Sequence, residues 1–304
     1  MNNQLSLVIL AVGLDSRYKV PAALQVVGPQ KEMLIEYTIF DALKAGIKHF
    51  VFIIDQDFKD EIRRFLKKLI ESKNCSVEFI LQTTFTSVSR NYFDIMLDRQ
   101  LSWGTAHALL VAKNHLVNPF IVINYEDYYG QEAFKKSIRL NSGARISPYR
   151  FGTIAYPIDQ TLYNAESSNR FCCRVERQIL KSLDFYENIS RFEDKVVFNE
   201  EHISGIIEND TPTNVGLWIF HPSIFKIIED KFDHFMKTQG KNKKAQFQLD
   251  QMMQELVLDK IVEIEVVNID NNWFSLITLD DRDVMNEYLK VKIEAGNYPL
   301  KLWN

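Results

Sequence analysis

The sequence predicts an α/β fold built on a mixed, mainly parallel sheet flanked by helices, and three observations carry that prediction. Leu5 to Val12 is a near-continuous apolar run of the length of a strand buried on both faces. Strand-like and helix-like segments then alternate up to residue 124, the order expected of βαβ units. The composition of the 304 residues, 46% hydrophobic and 25% charged, excludes disordered, collagen-like and low-complexity classes.

Each element can be justified in turn. A loop is predicted from Gly13 to Lys31. Met33 to Ala45 carries apolar residues at 34, 35, 39, 40 and 43, close to helical spacing, and Gly46 stands where a helix C-terminal glycine belongs. Val51 to Ile54 reads as the second strand. Asp57 to Ser72 places Phe58, Ile62, Phe65, Leu66, Leu69 and Ile70 on one face with Lys and Arg between them, and Val77 to Leu81 is apolar again. Thr105 to Leu116 reads as a helix, and Pro119 to Ile123 as a fourth strand that ends in Asn124-Tyr125-Glu126-Asp127. Beyond about residue 150 the pattern loosens into strand-like runs at 151–156, 171–175 and 214–220, a polar stretch at 187–210, and helical periodicity at 222–236 and 246–258. This predicts a continuation of the sheet with an inserted antiparallel portion, closed by an amphipathic helix from Asp281 to Ala295.

Charge and cysteine content exclude several function classes. Lys plus Arg is 36 and Asp plus Glu is 40, a net charge of −4, and no basic run is long enough to track a phosphate backbone, so no nucleic-acid partner is expected. Cys75, Cys172 and Cys173 cannot all pair within the chain, and adjacent cysteines with no nearby histidine make a poor ligand set, so a reduced, cytoplasmic setting is expected. The apolar run from Leu5 to Leu14 is about half the length of a membrane span and lacks the flanks of a signal peptide, so no membrane partner is expected either.

In open α/β sheets ligands sit beyond the carboxyl ends of the strands, which singles out Gly13 to Arg17 after the first strand and Asn124 to Asp127 after the fourth. Free backbone N–H groups in the first segment suit an anion. The segment lacks the three glycines of a dinucleotide fingerprint and the Gly-Lys-Ser/Thr of a Walker A loop. Trp103 and His107 read as packing residues, and Lys237 to Lys244 as an exposed loop.

Four stretches together resemble the sugar-1-phosphate nucleotidyltransferases, especially a subgroup of about 300 residues. They are Gly13-Leu14-Asp15-Ser16-Arg17-Tyr18 with Val27-Gly28-Pro29; Glu36 to Gly46; Trp103-Gly104-Thr105-Ala106-His107-Ala108; and Val122 to Gly130. Asn214-Val215-Gly216-Leu217-Trp218-Ile219-Phe220, Trp273-Phe274 and the closing Gly296 to Trp303 are also similar to the family. The resemblance implies a nucleotide-diphospho-sugar transferase fold, with a Rossmann-like nucleotide-binding portion over 1–150 and a sugar-side portion over 151–304. It implies transfer of a nucleotidyl group from a nucleoside triphosphate to a sugar 1-phosphate, with magnesium as cofactor and pyrophosphate released. It also allows a homo-oligomer or a protein partner.

Carried over residue by residue, the resemblance gives Arg17 the role of neutralising the triphosphate and assigns Gly13, Leu14, Ser16, Gly104 and Thr105 to the nucleotide. It assigns Glu126 and Asp127 to the metal and Asn214 and Gly216 to the sugar side. The chain departs from the family at several of these places. Asp15 replaces the second loop glycine, Ala22 and Ala23 stand where a lysine is expected with Lys19 three residues earlier, and Glu126 replaces the metal aspartate. Phe185 replaces a sugar-binding glutamate, Ser275 a second metal carboxylate, and Leu101-Ser102 the usual Lys-Pro. A carboxylate beside a triphosphate repels it, and each lost donor at a phosphoryl-transfer site costs on the order of 10²–10³ in rate. The expectation is therefore a nucleotidyltransferase with weakened catalysis, or alternatively a non-catalytic binding or regulatory subunit on the same fold.

Overall fold

A computed structural model of the chain describes residues 5–12, 25–143, 145–163, 167–199, 203–276 and 279–303, with the side chains of 279 and 280 excepted. The first loop, with Gly13, Leu14, Asp15, Ser16, Arg17, Lys19, Ala22 and Ala23, lies outside the described residues.

The first half is a parallel sheet. β1 (Ser6–Ala11) is followed by α1 (Leu34–Ala45), β2 (His49–Ile54), α2 (Asp60–Glu71) and β3 (Ser76–Leu81). β1 pairs in parallel with β2, and β2 with β3. Every residue of β1 is buried: Leu7, Ile9 and Ala11 face one core cluster, and Val8 and Leu10 face the other. A strand covered on both faces has no polar alternation to show, which is why it reads as one apolar run. Gly46 ends α1 in the left-handed conformation at φ 98°, with its N–H turned back to the last carbonyls of the helix.

After a short helix α3 (Phe93–Leu97) come α4 (Thr105–Val111) and β4 (Phe120–Asn124), which lies parallel to β1 on the side away from β2. The helix predicted up to Leu116 stops at Val111, and residues 113–115 form a single 3₁₀ turn. β5 (Asp127–Tyr128), α5 (Gln131–Asn141) and β6 (Arg150–Pro157) complete this half.

The second half joins the same sheet. β7 (Ser168–Glu176), β8 (Ile179–Phe192), β9 (Lys195–Asn199) and β10 (Ser204–Ile207) form the inserted antiparallel portion. β11 (Pro212–Phe220) then enters antiparallel between β4 and β6, so the sheet crosses residue 150 without a break. The polar stretch at 187–210 is thus largely strand. Its inner residues Ile189, Val196 and Ile207 pack with Ile158, Leu162 and Cys172, while Phe192 and Ile206 are exposed, so the half-solvated meander disguises its own periodicity. α6 (Ile224–Gln239), α7 (Leu249–Leu258), β12 (Glu263–Asn268), β13 (Phe274–Ser275) and α8 (Leu279–Glu294) end the order, with β12 parallel to β6 and β13 paired to β5.

α1 is buried around most of its circumference because the C-terminal segment covers its outer side. There the Tyr298 hydroxyl donates to Asp41 at 2.6 Å, and the Trp303 indole N–H donates to Glu36 at 2.7 Å. Among the described residues no helix is long and apolar enough to cross a membrane.

Candidate active site

The site is built from the carboxyl end of β4. The Asn124 amide donates to Asp127 Oδ2 at 2.9 Å, and the Tyr129 hydroxyl, which accepts from the Asn124 N–H, lies 3.0 Å from the same oxygen and 3.2 Å from the Val215 carbonyl. Ser275 stands opposite Asp127 in the β5–β13 ladder, and its side chain also hydrogen-bonds the carboxylate. Burial pushes the Asp127 pKa up to about 6, against the pull of Ser275, Asn124, Tyr129 and the positive field of Arg170. Glu126 is partly buried, and its backbone carbonyl accepts from the Leu276 N–H at 3.1 Å.

Asn214 and Gly216 meet this turn. Gly216 has φ +79°, and a Cβ there would lie 2.6 Å from the Asn124 amide nitrogen, so the position needs a glycine both for conformation and for space. Its N–H donates to Asn214 Oδ1 at 3.0 Å, while the Asn214 amide donates to Thr153 Oγ1 at 2.9 Å. The ladder between β11 and β6 is irregular across Asn214 to Trp218, which lets the chain bulge toward β4. Asn214, Gly216, Asp127 and Ser275, separate in the sequence, thus form one connected knot.

Gly104 and Thr105 belong to a different assembly. Gly104 has φ +103°, and a Cβ there would lie 2.6 Å from the Phe247 carbonyl oxygen. The Thr105 hydroxyl donates to Gln248 Oε1 at 2.8 Å and accepts from the Leu249 N–H at 2.9 Å, fastening α4 to the start of α7. His107 accepts from the Gln82 amide at 2.8 Å through Nδ1 and donates through Nε2 to the Thr86 carbonyl at 2.8 Å. Burial holds its pKa down to about 4 despite the Thr86 bond. Trp103 is buried, donates to the Thr84 carbonyl and carries the Arg99 guanidinium 3.9 Å from its ring centre. Both aromatic side chains are packing residues in this fold.

Two participants carry no sequence signal. Arg170 on β7 lies 4.8 Å from the Trp273 ring centre, donates to the Thr161 carbonyl and to the Asn169 carbonyl at 2.9 Å each, and sends its field to Asp127. Tyr163 accepts from the Ser275 N–H at 2.8 Å and donates to the Ser275 carbonyl. Their roles depend on strand pairing between distant segments. Phe185, half-exposed on β8, stands opposite Phe171 on β7, with ring centres 4.8 Å apart.

Among the described residues no group of three or more His, Cys, Asp or Glu side chains is placed to hold a metal ion. Magnesium needs no such cage, since it takes one or two carboxylates together with phosphate oxygens and waters. Asp127 suits the ion poorly, because its buried carboxylate is already committed to three side-chain hydrogen bonds. Glu126, next to it on the turn, offers the oxygen chemistry that fits.

No protein-family model matches the chain, and no curated protein matches it. Solved structures do match it over nearly their whole length. A UDP-glucose pyrophosphorylase complexed with UDP-glucose aligns at 14% identity and TM-score 0.59, covering 95% of this chain and 99% of that one. An inositol-1-phosphate CTP transferase from T. maritima aligns at 12% identity and TM-score 0.59, covering 95% and 97%. A CTP:phosphocholine cytidylyltransferase from Streptococcus pneumoniae aligns at 16% identity and TM-score 0.56, covering 94% and 99%. The chain has the nucleotidyltransferase fold. In the nucleotidyltransferase fold seen here, the acidic turn and the Asn214–Gly216 bulge share the carboxyl end of β4, while Gly104 and Thr105 belong to the α4–α7 joint.

Proposed function

We propose that the chain carries out nucleotidyl transfer. The phosphate oxygen of a sugar 1-phosphate, or of a related phosphomonoester, attacks the α-phosphorus of a nucleoside triphosphate, the bond to the β-phosphate breaks, and pyrophosphate leaves. The observation that carries this reading is the knot at the end of β4, where the acidic turn is locked to the Asn214–Gly216 bulge at the place where open α/β sheets bind ligands.

In this reading Gly13, Leu14, Ser16 and Arg17 meet the triphosphate, Gly104 and Thr105 form the base side, and Glu126 holds magnesium. The metal, when bound, supplies neutralisation of phosphate charge. Asp127 keeps the turn in shape through Asn124 and Tyr129. Asn214 and Gly216 shape the acceptor side. Transfer of this kind depends on positioning and charge stabilisation, so Asp15 and Ala22 in the first loop predict slow turnover.

A second reading, a non-catalytic binding or regulatory subunit, draws support from the engaged hydroxyl of Thr105 and the closed hydrogen bonding of Asp127. Calorimetric titration with each nucleoside triphosphate and magnesium, followed by pyrophosphate-release assays with phosphomonoester acceptors, separates the two. Micromolar binding with release supports nucleotidyl transfer. Binding without release supports the subunit reading, and absent binding restored by Asp15→Gly/Ala22→Lys supports a scaffold that has given up its triphosphate.

A further inference from the structure

Arg170 carries a charge that the chain leaves without an ion pair. It stands on β7 next to Phe171, which pairs with Asn214 of β11, so strand register sets it beside the acceptor side. The residue is partly buried, with its guanidinium 4.8 Å from the Trp273 ring centre. Nε donates to Thr161 Oγ1 at 3.3 Å, and the two terminal nitrogens donate to the Asn169 and Thr161 carbonyls at 2.9 Å each. A guanidinium has five N–H groups, so one on each terminal nitrogen remains unused. None of these partners is an anion, and among the described residues no carboxylate closes to an ion pair with Arg170. Asp127 is near enough to feel its field yet does not pair with it. The Trp273 indole N–H is buried and has no acceptor among the described residues. The stacked pair therefore offers a cation and spare donors with no acceptor, where folded proteins ordinarily match such groups.

We infer that Arg170 anchors the phosphate of the acceptor through its two unused N–H groups, so that the acceptor is held without magnesium. The inference rests on the nucleotidyl-transfer reading for calling this phosphate the acceptor's. A guanidinium fork matches phosphate oxygens and stays charged across the working pH range. Attack of one phosphate on another brings two anions together, and a fixed cation on the acceptor lessens their repulsion. The neighbouring groups do not supply that charge: Asp127 is committed to three side-chain hydrogen bonds, and Ser275, which faces it, is neutral. Loss of a charge-assisted contact of this kind weakens binding roughly ten- to a hundredfold.

The test uses the full-length protein and reads the phosphate contact apart from the transfer. Glucose 1-phosphate and inorganic phosphate are titrated calorimetrically in magnesium-free buffer, with glucose as the uncharged control, into the unmodified protein, Arg170→Gln and Arg170→Lys. The expected result is binding of both phosphates and not of glucose, weakened about tenfold or more in Arg170→Gln and less in Arg170→Lys, which keeps the charge and loses the fork. In pyrophosphate-release assays Arg170→Gln is expected to raise KM for the phosphomonoester about tenfold or more and to leave KM for the triphosphate unchanged, a split that a merely structural role would not produce. Thermal unfolding confirms that the variants fold, and Arg170→Lys carries the comparison if Arg170→Gln does not. No binding of either phosphate without magnesium, glucose bound as tightly as its phosphate, or affinities unchanged by the substitutions overturns the inference. Absent triphosphate binding or absent pyrophosphate release, with the Arg170-dependent phosphate contact intact, overturns the transfer reading instead.

Discussion

The joint around Gly104 and the turn around Asp127 use the same means to opposite electrical ends. Both are buried and polar, and both hold a titratable group away from water. In the first, burial keeps His107 neutral by drawing its pKa down to about 4. In the second, burial pushes Asp127 up to about 6, and behind it Asp41, on the covered side of α1, up to about 8. Desolvation penalises whichever form is charged, so a base and an acid move in opposite directions. The comparison teaches that the Gly104 region buries a base held neutral by loss of its proton, whereas the Asp127 region buries acids that are pushed toward keeping theirs.

The strongest way to break the first region is Gly104→Val. The side chain would enter both a disfavoured φ and the Phe247 backbone, and a loss of roughly 3–5 kcal/mol is expected in chemical denaturation. A loss under about 1 kcal/mol would show that the joint yields. Gly216→Ala tests the second region less severely, because the atom it meets is the end of the Asn124 side chain, which can move where backbone cannot. About 1–3 kcal/mol is expected, since the displaced amide also stops supporting Asp127.

Unfolding measured between pH 4 and 8 sharpens the contrast. His107 has a native pKa of about 4 against 6.5 unfolded, so the unfolded chain takes up the proton first and stability is lost as pH falls through that window. Asp41 runs the other way. Its native pKa of about 8 lies above 3.8, so its contribution is fully present below about 4 and is lost as pH rises toward 8. Relative to the unmodified protein, His107→Gln is expected to remove a gain of stability with rising pH between about 4 and 6.5, and Asp41→Asn a loss between about 4 and 8, each by an effect on the order of a few kcal/mol. Unchanged profiles would refute the assignment of these limbs. The smallest effect is expected at Phe185→Ala, which removes a half-exposed ring and should change stability by no more than about 1 kcal/mol. A larger loss would place Phe185 in the core rather than at the sheet surface.

Legibility in the sequence followed burial. β1, β2 and β4 are covered on both faces and announce themselves as apolar runs, and α1 shows both its spacing and its terminal glycine. The meander β8 to β10 has one wet face and one small core, so over 187–210 the sequence shows only a polar stretch within the expected antiparallel insertion. Within the candidate site, Gly216 was visible in its Asn-Val-Gly motif, as was the acidic turn. The closure of Asp127 is not, because Ser275 on β13 and Arg170 on β7 come to it from distant parts of the chain.

By itself, then, the sequence determined the fold class, the order of the first strands and helices and the two segments at the carboxyl ends of β1 and β4, because each of these follows from local periodicity and turn chemistry. Only the tertiary structure decided that Ser275 faces Asp127, that Gly216 rests on Asn124, that Thr105 is consumed by α7 and that Phe185 stands beside Phe171. Those contacts depend on the register between strands and helices far apart in the chain, and register is chosen by how whole faces bury against one another.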